Sequence, residues 1–301
     1  MLATRYGEVV VDRLFDGKTQ LNKALRPLLQ AAEQTLALDE RQRERTLVRI
    51  DAGGGSVDDV NWLLSRGYQV HAKDYSGRQA RSLARSVLVW FDDPHAPERQ
   101  MGWVTEAPTA YVRPVVRIAV RCRKADGQWA VGVLISTLEA SDVLHLSGQP
   151  PSQLADAQAV LLASVAFYDE RGGGIETSFK GDKQGLGLTR RNKKRFEAQQ
   201  MLMLLGSLTH KTIVWARRWL AIPQLRSYGM LRMVRDIFHI SGFLGVDAQG
   251  HIVQIGLNQA APLAPVFVDS LRKLLAPAHM AIHLDTVSFA PQSMVANLDK
   301  I

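Results

Sequence analysis

Leu47 to Asp74, LVRIDAGGGSVDDVNWLLSRGYQVHAKD, decides how the chain is read, because an apolar run, a glycine-rich turn, an amphipathic segment and a second apolar run follow one another. LVRID predicts a strand. Val57 to Ser65 predicts a helix capped by Ser56 or Asp58, and YQVHAKD predicts another strand. Toward the N-terminus, GEVVVDRL predicts a strand and Leu21 to Leu38 a helix with spacing through Leu21, Leu25, Leu28, Leu29, Ala32 and Leu36, joined onward by the charged link DERQRERT. Alternation of strand and helix through the first 75 residues implies a mostly parallel α/β sheet.

Toward the C-terminus the pattern changes from about residue 87. VLVWF, YVRPVVRIAVRC and WAVGVLIST read as strands, and Asp126-Gly127 is a strong hairpin signal, so an antiparallel β insertion is expected here, closed by SGQPPSQ. Helical periodicity covers Leu154 to Phe167, resumes after three glycines with a helix starting near Ile175, and continues, with breaks at Gly185 and Gly187, to Leu220. Beyond Pro223 come a helix at Met230 to Phe238, a hairpin about Gly250 and a helix at Val266 to Leu275. These divisions give segments 1–80, 81–152, 153–222 and 223–301, the last a small α+β tail.

A chain of 301 residues that is 46% hydrophobic can bury a sizeable core. One cysteine, Cys122, excludes an intramolecular disulfide framework and suits a reducing compartment. No window approaches the roughly 18 apolar residues a membrane span requires, so a cytoplasmic protein is expected. The net charge of +8 and pI near 9.7 favour a polyanionic partner, DNA or RNA. His71, His210 and His239 show no metal-ligand spacing.

The chemistry-bearing stretch is Tyr168 to Lys183, YDERGGGIETSFKGDK, in which Glu176 and Lys183 are seven residues apart and share a helix face with Lys180. It resembles the Tyr, Arg, Glu, Lys signature of bacterial insertion-sequence DDE transposases. The resemblance extends over most of the chain: the Asp51 strand, the β insertion, the Glu176 helix and the basic run KQGLGLTRRNKKRFEAQQ fall in family order. It implies an RNase H-like core interrupted by the β insertion. It also implies metal-dependent DNA cleavage and strand transfer, with Asp51 and Glu176 as catalytic acids holding Mg2+, for which Mn2+ can substitute. Tyr168, Arg171, Lys180 and Lys183 would contact transposon-end phosphates, as would Arg190, Arg191, Lys193, Lys194 and Arg195 on a basic helix. The implied setting is a homodimer on paired DNA ends, nucleoid-associated in a bacterial cytoplasm. One departure is that four residues separate Arg171 from Glu176, where the family usually leaves three.

By family order the first acid would lie upstream of Met1, and Asp12 has the wrong neighbours to replace it, so DNA binding without transposition is the expectation for the chain as written. Trp103 and Trp129 fall in the β insertion, where family members can stack a tryptophan on a flipped base, although core packing is the expected role of each. Two other classes compete. VRIDAGGGS followed by Asp74 resembles the glycine-rich turn of SAM-dependent methyltransferases, and a non-catalytic DNA-binding protein would also explain the charge.

Overall fold

The computed structural model describes residues 1–3, 7–50, 56–73, 77–107, 110–187, 194–220, 222–278 and 282–288, with backbone only at 2–3 and 171–179. The chain divides into two compact units. Unit 1 comprises residues 1–4 and 10–176, and unit 2 comprises 5–9 and 177–301.

In unit 1, β3 (Leu47–Ile50), α3 (Val57–Ser65) and β4 (Gln69–Lys73) form where the sequence predicts them. The Ser56 hydroxyl accepts from the Asp59 amide at 3.2 Å and caps α3, satisfying a donor that the first helical turn leaves without a partner. Helix α1 (Leu21–Leu36) buries Ala24, Leu25, Leu29 and Ala32 on one stripe. β3 and β4 pair in parallel, in register Leu47 to Gln69 through Ile50 to Ala72.

The sheet does not stay parallel. β5 (Phe91–Asp93), β6 (Ala96–Trp103), β7 (Val116–Arg123) and β8 (Trp129–Ser136) form an antiparallel meander that joins the same sheet through β8 against β4, giving the order β3-β4-β8-β7-β6-β5. The segment expected as an insertion is therefore the larger part of a mixed sheet, and β3–β4 is its one parallel pair among the described residues. The Asp126-Gly127 turn closes β7–β8, with Gly127 at φ +78° and the Lys124 amide bonded to the Gln128 carbonyl at 2.8 Å.

Alternation along the strands gives the sheet two apolar faces. On one, Val48, Ile50, Val70, Ala72 and Ile135 pack with Leu25 and Leu29 of α1 and Val60, Leu63 and Leu64 of α3. Ala119 and Val133 extend that face against Ala80 and Leu83 of α4 (Gly77–Leu83). On the other, Met101, Ile118 and Leu134 pack against Leu161 and Val165 of α6 (Ala157–Gly185). Unit 1 is thus a helix, sheet, helix sandwich, which makes the fold mixed α/β.

Local expectations fail in four places. The first strands are short, β1 (Leu2–Ala3) and β2 (Glu8–Val9), the latter all that is strand of GEVVVDRL, and VLVWF is irregular until Phe91, with Leu88 83% exposed. The charged link contains α2 (Glu40–Glu44), nucleated by a reciprocal capping box between Asp39 and Gln42. α5 (Ala140–Leu146) follows β8 directly.

In unit 2, α7 (Phe196–Trp219), α8 (Met230–Met233), a π-helical turn (Val234–Phe238) and α9 (Ala264–Leu275) surround a core of Ile213, Leu220, Leu225, Met233 and Ile237. β9 (Gly242–Val246) and β10 (Ile252–Asn258) are the expected hairpin, with Gly250 at φ +84°, and β11 (His283–Val287) adds in parallel to β10. No helix among the described residues is long and apolar enough to cross a membrane.

Candidate functional site

α6 carries the stretch singled out in the sequence. Asp156 starts it, its carboxylate accepting from the amides of Gln158 and Ala159 at 2.9 and 3.1 Å. The helix then runs unbroken to Gly185, and Gly187 at φ +64° follows its end. The expected break at Gly172 to Gly174 is absent: these residues are helical, although each glycine costs about 1 kcal/mol against alanine in a helix interior. Burial of the N-terminal half against the sheet supplies the offsetting energy.

Polar contacts fix the side of α6 that meets the sheet. Arg49 of β3 donates to the Phe167 carbonyl and lies 4.1 Å over the Phe167 ring. Its register partner on β4, His71, is fully buried, with Nε2 3.1 Å from the Ser164 carbonyl. Burial pushes the His71 imidazole down to about 4, helped by the Arg49 charge and opposed by the Ser164 bond, so the ring is neutral near pH 7 and Nε2 carries the donated proton. Farther across the sheet, Arg99 of β6 bridges Asp93 and Asp169, at 2.6 Å to each. The local signal for this seam was a polar residue in the middle of each neighbouring apolar strand, Arg49 in LVRI and His71 in QVHAK.

The expected site residues fare unequally. Tyr168 is half-buried on the α6 core side, its ring edge-on to His71 at 6.1 Å. Lys180 and Lys183 are exposed, as are Lys194 and Arg195. Arg195 has extended backbone and precedes α7, so the last two cations of the basic run stand before a helix rather than on one. Arg190, Arg191 and Lys193 lie outside the described residues, as do Asp51 and Asp74, and the side chains of Arg171 and Glu176 lie outside them too. Among the described residues no three His, Cys, Asp or Glu side chains are grouped to hold a metal.

The two insertion tryptophans divide. Trp103 is partly buried and donates from Nε1 to the Ala157 carbonyl at 3.2 Å, tying β6 to the start of α6. Trp129 is 39% exposed, and the Arg121 guanidinium lies between it and Trp90, 4.5 and 4.0 Å from the two ring centres.

Sequence reasoning missed a second buried polar centre, in unit 2. His210 of α7 has Nδ1 2.8 Å from an Asp182 carboxylate oxygen and Nε2 2.8 Å from the Gly7 carbonyl. Both partners are acceptors, so both ring nitrogens donate only when the imidazole is protonated. Burial opposes that charge, but Asp182 and Gly7 outweigh it and raise the pKa.

No protein-family model matches the sequence, and a search of curated proteins finds no significant match, so the case for function rests on the residues themselves.

Proposed function

We propose that the chain is a DNA-binding protein of the insertion-sequence DDE transposase kind, built on an RNase H-like core, with strand transfer the chemistry of that family. The observation that supports this most is the unbroken helical backbone from Ala157 to Gly185, which carries positions 168, 176, 180 and 183 on one element. Seven helical residues turn through about 700°, so Glu176 and Lys183 share a phase to within about 20°. Arg171, five residues before Glu176, is about 140° away, whereas the family's usual spacing would reduce that to about 40°. On this reading Lys183 and Lys180 accompany the acid, and Arg171 does not.

The sequence position of Asp51 adds support. Arg49 of β3 faces α6, and Asp51 follows it two residues on in the sequence. Asp51 and Glu176 would then hold divalent magnesium, hard carboxylate oxygens suiting a hard cation. When bound, the metal would activate the attacking hydroxyl and steady the leaving oxygen of the phosphodiester. Lys180, Lys183, Lys194 and Arg195 would bind backbone phosphates, with the DNA ends held in a dimer. The methyltransferase reading gains nothing from the sheet, because the strand beyond β4 is the antiparallel β8 rather than a further parallel strand.

The test is DNA binding and nicking of a supercoiled plasmid by the full chain in Mg2+ or Mn2+. Salt-sensitive binding is expected, with affinity falling at least twofold when Lys180, Lys183, Lys194 and Arg195 are replaced by alanine. Nicking that disappears in Glu176→Gln and Asp51→Asn would establish strand chemistry, and binding without nicking would leave a non-catalytic DNA-binding protein. Failure to bind DNA overturns both.

A further inference from the structure

α7 has two apolar faces, and its own unit uses one. Gly206, His210, Ile213 and Val214 are buried. On the opposite side Met201, Leu204, Leu205 and Leu208 are 56, 46, 51 and 57% exposed. Their i, i+3, i+4, i+7 spacing is that of a helix-pairing seam, and Thr212, Trp215 and Trp219 continue it, the two indoles stacked at 5.7 Å. Roughly half of each of the four side chains is uncovered, on the order of 400 Å² of contiguous apolar surface, comparable with the functional patches of soluble proteins.

The charges bordering the seam indicate what covers it. Glu197 and Lys211 lie seven residues before and after Leu204, at the same phase of the helix, and both reach solvent. We infer that the outer face of α7 pairs with a second copy of this chain, antiparallel and centred on Leu204. That register sets Glu197 of each copy opposite Lys211 of the other, so two complementary pairs flank an apolar centre. A parallel in-register pair would instead stack Glu197 on Glu197 and Lys211 on Lys211, which costs energy in both places. Two seams bury on the order of 800 Å² of apolar surface, below the roughly 1,200 Å² of stable interfaces, so the association is weak and concentration-dependent. It stands whether or not the chain acts on DNA.

Sedimentation equilibrium of the full chain from roughly 1 to 100 μM tests this over the range where a weak dimer populates. The weight-average mass should rise above the monomer's 33.4 kDa with concentration, and Leu204→Glu and Leu208→Glu should hold it there. Glu197→Lys and Lys211→Glu should each weaken association about fivefold, and the double swap should restore it to within about twofold, a rescue only the antiparallel register provides. Glu197 is exposed and Lys211 is only partly covered, and recovery in the double swap excludes loss of folding as the cause of the single-swap effects. A wild-type chain that stays monomeric, single swaps without effect, or a double swap that fails to recover would each overturn the assignment.

Discussion

His210 shows how one side chain can couple a fold to pH. In its protonated form it satisfies the Asp182 carboxylate and the Gly7 carbonyl together, and on losing a proton one nitrogen presents a lone pair to an acceptor. Its folded pKa lies above the ordinary 6.5, so its contribution to stability is fully present below about pH 6.5 and is lost as pH rises through the folded value. The denaturation midpoint should therefore fall as pH rises above about 6.5, and His210→Gln should remove that slope while costing about 1–3 kcal/mol at pH 6. An unchanged slope in the variant would place the proton elsewhere. His71 is the opposite case: buried against Phe167 and Tyr168 with one carbonyl acceptor, it stays neutral over the same range and serves as packing.

At the scale of elements, helix ends and turns were legible and helix continuity was not. The Ser56 cap, the Asp126-Gly127 turn and the Gly250 turn act through residues a few positions apart, so local sequence carries them. The glycine triplet in α6 reads as a break by intrinsic propensity, yet the helix continues because Leu161 and Val165 are held against the sheet and Gly181 and Gly185 admit α8. A Cβ at Gly185 would lie 3.0 Å from the Leu231 amide nitrogen and 3.1 Å from the Met230 carbonyl carbon, backbone atoms that cannot move aside cheaply. Gly185→Ala should cost about 1–3 kcal/mol in urea unfolding. Gly77→Ala, where no atom lies within 4 Å of the new methyl, should be neutral or slightly stabilising, and equal effects of the two would mean that the α6–α8 approach is not limiting.

For the whole molecule, a net charge of +8 gives an electrostatic attraction for polyanions that must weaken with salt. If Lys180, Lys183, Lys194 and Arg195 each displace one counterion from duplex DNA, their joint replacement should reduce the slope of log affinity against log salt by about 3 to 4. Titration at several salt concentrations measures it, and a change below about 1 would move the DNA surface away from α6 and the approach to α7. The magnitude also separates these four cations from the remaining basic residues, since a general charge effect would spread the slope over many positions.

Within residues 47–73 the sequence by itself determined the order strand, helix, strand, with the helix to the residue and the described strand ends to within one residue, together with the hairpins and caps, because periodicity, β-branching and turn chemistry are properties of neighbours along the chain. It also placed Glu176, Lys180 and Lys183 on one helix by spacing alone, whereas Tyr168 fell before the expected glycine break and joins them only through the continuity of α6. Only the tertiary structure decided that β4 takes the antiparallel β8 as its neighbour and that β5 to β8 extend one mixed sheet. The same holds for Arg49 and His71 meeting α6, and for Asp182 and Gly7 meeting His210. These partners are far apart in sequence, and which one fills a sheet edge or a buried polar site depends on competition for burial across the fold, which leaves no local signature.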